Sequence, residues 1–136
     1  MKYFFQHAAI VTLLVTSFPG VADAFTSMRG AKVNPVNAAV FEVVPRSGGS
    51  GLDYWCGAGD YAQRALRAAW TAPIYIARGL GTSVTTGRRS AVQFTLDPVA
   101  AGVTPIASGI SINALRVGES MTVRQAFNYC EKKPTR

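Results

Sequence analysis

Leu52-Asp53-Tyr54-Trp55-Cys56-Gly57-Ala58-Gly59-Asp60-Tyr61-Ala62-Gln63-Arg64-Ala65-Leu66-Arg67-Ala68-Ala69-Trp70 is the stretch whose reading decides the fold. Trp55, Gly59, Ala62, Leu66 and Ala69 recur at steps of three and four, which places them on one face of a 3.6-residue period. Ala58, Ala65 and Tyr61 widen that stripe. Asp60, Arg64 and Arg67 fall on the far side, with Asp60 and Arg64 spaced as an i,i+4 acid-before-base pair. Ser50 followed by Asp53 has capping-box spacing, and a helix does not run comfortably into Pro73. The spacing therefore predicts one long helix over 52–70. Gly57 and Gly59 each cost about 1 kcal/mol relative to Ala in a helix interior. Either another backbone comes too close there for a side chain, or the helix start holds a ligand.

Strands flank this helix. Residues 39–44 are β-branched and aromatic and end at Pro45. Residues 73–78 are apolar on both faces, as in a central strand. Residues 91–96 alternate, with Val92, Phe94 and Leu96 inward and Gln93 and Thr95 outward. Strand, helix and strand in succession suggest a βαβ unit, with 91–96 antiparallel to 73–78. Residues 111–117 read as a short fourth strand. Thr122 and Gln125 again have capping-box spacing, and Val123, Phe127 and Cys130 share a face, so a short helix is expected over 122–130. Residues 25–37, with Gly30 and Pro35, read as an extended lead-in, 97–110 as a surface loop and 131–136 as a basic tail. The expected fold class is a small α+β domain. Its mixed sheet of three or four strands is packed by the long helix and the short C-terminal one.

Residues 1–24 have the layout of a secretory signal. Lys2 is followed by an apolar run from Ala8 to Phe18, about eleven residues and too short to span a bilayer. Ala22-Asp23-Ala24 offers a small-x-small cleavage site, so the mature chain is expected to begin at Phe25, exported to a periplasmic or extracellular location, with no transmembrane segment left. The two cysteines, Cys56 and Cys130, then enter an oxidising compartment and are expected to pair. The closed loop of about 75 residues is valued by the chain-entropy model at roughly 4 to 4.5 kcal/mol. The rival reading is a reactive Cys56 near a helix N-terminus, but a partner cysteine exists and a base does not.

His7, the one histidine, lies in the signal segment. Its loss excludes Ser-His-Asp and Cys-His catalysis and any His-liganded metal site, so no cofactor or metal is expected. Calcium would need clustered acids, and they are scattered. Removing Lys2 and Asp23 leaves thirteen cations, ten of them Arg, and six acids, so the net charge stays +7. Such a charge favours an anionic partner: an acidic glycan, a lipid head group or an acidic protein. It is also an ordinary route to solubility. Export argues against intracellular nucleic acid, and Tyr54, Trp55, Tyr61, Trp70 and Tyr75 follow core periods rather than a stacking platform.

The segment 78–89 combines glycines, the hydroxyls Thr82, Ser83, Thr85 and Thr86, and the guanidiniums Arg78, Arg88 and Arg89. These are the parts of an anion cradle, although the P-loop pattern is absent. A water-facing hairpin loop would have the same composition. Two function classes remain, beside a third, a scaffold or inhibitor acting through protein contacts, that sequence does not separate from the first. One is a non-catalytic exported binding module for an anionic partner, using these arginines. The alternative is a small hydrolase or lyase using Asp53 or Asp60 with an Arg. Those two acids lie about 10 Å apart along a helix axis, slightly long for a glycosidase pair.

Overall fold

The computed structural model describes residues 25–109 and 111–131. The expected signal segment and the tail beyond Glu131 lie outside the described residues. Eight elements follow in order: β1 (Phe25–Thr26), β2 (Lys32–Pro35), β3 (Val40–Val44), α1 (Gly51–Arg64), β4 (Pro73–Gly81), β5 (Ala91–Thr95), β6 (Ser120–Thr122) and α2 (Val123–Asn128). The fold is a small α+β domain with one six-stranded sheet in the order β1-β2-β3-β5-β4-β6. Every pairing in it is antiparallel.

This corrects the mixed sheet of three or four strands. β3 and β4 run in the same direction, as a βαβ unit requires, but β5 is inserted between them and pairs with both. The expected lead-in at 25–37 contains β1 and β2. Pro35 is tolerated there because β1 covers only Lys32 and Val33 of β2, so at Pro35 the strand is a sheet edge and a missing N–H breaks no ladder on that side. Residues 111–117 form no strand. Leu115 stands at φ 49° and interrupts any extended run, while Asn113 accepts the Gly51 N–H at 2.8 Å and so satisfies the start of α1. The fourth strand expected there is supplied by β6 instead. β4 is next to the sheet edge, not central, and Thr95, expected to face water, is fully buried.

α1 forms where the periodicity placed it, with the Ser50–Asp53 capping box present and the Ser50 N–H donating to Asp53 Oδ2 at 3.0 Å. It stops at Arg64, not at Trp70. Arg67 turns left-handed at φ 54°, and the chain bends towards α2. There the Val123 and Arg124 N–H groups donate to the carbonyls of Ala72 and Trp70 at 2.9 and 3.0 Å. Trp70 lands against Phe127, ring centroids 5.2 Å apart. Helical propensity continues through Ala65-Leu66-Arg67-Ala68-Ala69, and tertiary contacts override it. α2 is capped by Thr122, which accepts from the Gln125 N–H at 3.2 Å.

One face of the sheet carries Val33, Phe41, Val43, Ile74, Ile76, Val92 and Phe94, all buried under Tyr54, Trp55, Ala58 and Ala62 of α1. Trp55 meets Phe94 edge-on at 5.1 Å, and Phe41 meets Tyr61 at 4.7 Å. Cys56 and Cys130 are bonded, Cα atoms 4.8 Å apart, tying α1 to the residues after α2. That bond fits an oxidising, exported location.

Gly57 and Gly59 are explained by close approach. A Cβ on Gly57 would stand 2.5 Å from Val43 Cγ1, and one on Gly59 would stand 2.5 Å from the Phe127 backbone nitrogen. The second obstacle is backbone and cannot rotate away. Gly59→Ala should therefore destabilise the fold by about 2 kcal/mol or more despite its better helix propensity. Chemical denaturation of the disulfide-bonded protein reads this directly, and a neutral or stabilising result would contradict the helix–helix contact.

Candidate functional site

The β4–β5 connection folds over the second face of the sheet, the face opposite α1. Glu42 projects there from the middle of β3, flanked across the ladder by Asn34 and Gln93, and is fully buried. Its Oε1 accepts from the Ser83 hydroxyl at 2.5 Å, from the Thr85 N–H at 2.9 Å and from the Thr85 hydroxyl, while Oε2 accepts from the Val84 N–H at 3.2 Å. Thr86 closes the turn by donating its N–H and its hydroxyl to Ser83 Oγ at 3.0 and 2.8 Å. Asn34 ties β2 to the same loop through Thr85 Oγ1 at 3.0 Å.

The hydroxyls of Ser83 and Thr85 and the amides of Val84 and Thr85, parts of the expected cradle, thus bond a carboxylate of the chain itself, while no hydroxyl of Thr82 or Thr86 reaches it. Burial pushes the Glu42 carboxyl up. The hydrogen bonds from Ser83, Thr85 and Val84 together outweigh it, so the group sits below its ordinary value of 4.5. The sequence signal for this was an acid in the middle of an otherwise apolar strand, facing a loop with four hydroxyls. The reading of the loop alone missed it.

The arginines part company. Arg78 turns back on its own loop, donating from Nη2 to the Thr82 carbonyl at 2.7 Å, and its Nε is buried without a partner. Arg88 and Arg89 are both exposed, and together with Pro45, Gly48 and Ser90 they line a cleft of about 370 Å³. Arg88 donates to the Arg46 carbonyl, joining this loop to the β3–α1 connection. Register explains the neighbourhood. Lys32 pairs with Val44, and Val43 pairs with Val92, so the β1–β2 turn, the end of β3 and the start of β5 share one end of the sheet. Arg29, Lys32, Arg46, Arg88 and Arg89 therefore gather at that end.

The acids are disposed in the opposite way. Glu42, Asp60 and Glu119 are buried, three of the six carboxylates among the described residues. Asp60 accepts the Met28 N–H at 2.8 Å and is held by Arg64 through two bonds. Asp53 caps α1 and accepts from Arg29 Nε at 2.8 Å. Burial raises the Asp53 carboxyl, but Arg29 and Ser50 more than offset that, so it lies below its ordinary value. A general acid needs the reverse of the Asp53 shift, and the hydrogen bonds of Asp53 and Asp60 engage both carboxylates in holding the fold. Among the described residues no three His, Cys, Asp or Glu side chains gather as a metal ligand set. No helix among them is long and apolar enough to cross a membrane.

The sign of the Glu42 shift fixes a pH dependence. A carboxyl depressed on folding contributes stability that is fully present above 4.5 and lost as pH falls through the lower folded value. Glu42→Gln should cost about 2 kcal/mol or more at neutral pH, because an amide nitrogen would face hydroxyl and N–H donors. The gap between wild type and variant should narrow below pH 4.5. Denaturation at a series of pH values measures it, and a gap independent of pH would remove the assigned role. Comparison with protein-family models, with curated proteins and with solved structures finds no match for this chain.

Proposed function

We propose that the protein is a small exported, non-catalytic binding module that holds an anionic partner at the basic end of its sheet. The observation that carries this is the pairing of Arg88 and Arg89 in one cleft, where among the described residues neither forms an ion pair. Arg46 stands beside them through its carbonyl bond to Arg88. A guanidinium presents several donors in a fixed fork suited to phosphate, sulfate and carboxylate oxygens. Glu42 and Asp53 are already engaged within the fold, Glu42 by the β4–β5 loop and Asp53 by the start of α1 and Arg29. The partner classes compatible with this end are an acidic glycan, a lipid head group and an acidic protein.

The test compares wild type with the Arg88→Ala, Arg89→Ala double variant on immobilised heparin, on phosphatidylglycerol vesicles and on polyglutamate. These represent the three classes in turn. Wild type should bind at least one of them, with affinity falling as salt screens the charges. The double variant should elute at clearly lower salt, while Arg67→Ala, which alters an exposed cation elsewhere, should elute near wild type. Equal elution of the double variant and wild type would refute the reading.

A further inference from the structure

Tyr54 is 1% exposed, yet its Oη has no hydrogen-bond partner. A buried hydroxyl left in that state is costly, and a phenylalanine would fill the same place without it. Burial pushes the phenol above its ordinary value of 10.0 and the Asp53 charge adds to that, while the Ser90 side chain beside it acts the other way. Ser90 in turn lines the cleft that holds Arg88 and Arg89. The unmatched phenol, the serine and the two guanidiniums thus follow one another from the core to the surface.

We infer, resting on the reading of this end as an anion site, that the cleft binds a phosphomonoester. Arg88 and Arg89 take the phosphate charge, the Ser90 hydroxyl donates to a further oxygen, and Tyr54 is a positioning residue behind Ser90. A phosphomonoester carries about −1.5 to −2 charge near neutral pH and three acceptor oxygens, which matches two guanidiniums and a hydroxyl. A carboxylate has two coplanar oxygens that one guanidinium fork already satisfies. A sulfate ester has the three oxygens but a single charge. When a phosphate draws the Ser90 O–H outward, the serine oxygen is left to accept, and the Tyr54 O–H gains the acceptor it lacks. A hydroxyl that accepts a bond also donates a stronger one. The Asp53 charge nearby is held by Arg29 at 2.8 Å.

Calorimetric titration of the disulfide-bonded protein with phenyl phosphate, phenyl sulfate and phthalate tests this, with phosphatidic acid vesicles as a fourth probe. Phenyl phosphate should bind about tenfold more tightly than phenyl sulfate or phthalate. Its affinity should fall as pH drops through the second phosphate ionisation at about 6, and that of phenyl sulfate should not. Arginine keeps its charge throughout. Ser90→Ala and Tyr54→Phe should each weaken phenyl phosphate by about fivefold and leave phthalate unchanged, whereas a merely structural effect would weaken both alike. Tyr54→Phe removes only an unmatched hydroxyl, so the fold is retained. Tighter binding to the vesicles than to phenyl phosphate would assign the group to a lipid head, and the reverse to a soluble ester; either supports the site. The inference falls, and the anion reading stands, if phthalate binds as tightly as phenyl phosphate or if either single variant binds phenyl phosphate as wild type does. Both fall if no probe binds, or if the Arg88→Ala, Arg89→Ala double variant binds every probe as wild type does.

Discussion

α1 lies so close to the sheet on one side and to α2 on the other that two of its contact positions have no room for a Cβ. Everything that could serve as a site hangs from that docking. With Gly59 against the Phe127 backbone, Cys56 and Cys130 come within bonding distance, and Trp70 reaches Phe127 after the helix has already ended. Trp55, set by the same docking, is buried edge-on against Phe94 of the sheet. At its other end the helix start closes the 45–50 connection through the Ser50–Asp53 cap, and within that connection the Arg46 carbonyl accepts from Arg88. The bond between the two cysteines closes a loop worth roughly 4 kcal/mol in the chain-entropy model. Its larger structural effect is to keep a short helix, six residues long, from drifting off its partner, since so short a helix has little stability of its own.

The distribution of charge follows from the same economy of space. A buried carboxylate costs several kcal/mol unless it is matched, and each buried acid here has its own match: a hydroxyl-rich loop for Glu42, a guanidinium and a backbone amide for Asp60, a guanidinium for Glu119. The net charge of +7 therefore understates how basic the outside is. Solvent meets arginines whose compensating acids have been drawn inward. At ordinary ionic strength the Debye length is about 10 Å, so what an approaching anion feels is the local group at the end of the sheet, not the average over the chain.

Much of the local structure was legible. Both capping boxes, the antiparallel pairing of the second and third expected strands, and the cysteine bond follow from spacing and counting, because each depends on residues close in sequence or on there being only one possible partner. What was not legible depended on distant partners. β2 hides behind Pro35 and two asparagines, and only the short reach of β1 explains why proline fits there. The end of α1 is invisible in an alanine-rich run, because the α2 amides that draw the chain away lie some fifty residues later. The strand expected at 111–117 failed because Leu115 takes a left-handed conformation that non-glycine residues seldom adopt. In the loop expected to form an anion cradle, Ser83 and Thr85 bond Glu42, which lies some forty positions earlier in the chain and so is not visible from the loop's own sequence.

That last miss carries a physical lesson about where recognition can reside. A loop of glycines, hydroxyls and free amides will bind whichever oxyanion is held near it at the highest effective concentration. Glu42, fixed in β3 beneath the loop, is always present, whereas a ligand in solution is dilute. The internal carboxylate therefore takes the short donors, and in the proposed function an external anion is left the long ones, the guanidiniums of Arg88 and Arg89. Using Glu42 in this way also stiffens the loop that carries them, and a cation on an ordered loop loses less freedom on binding than one on a mobile loop. On the reading proposed above, the buried acid and the exposed arginines are two halves of one device: the first spends an internal charge to order a loop, and the second presents that order to solvent as a preformed site.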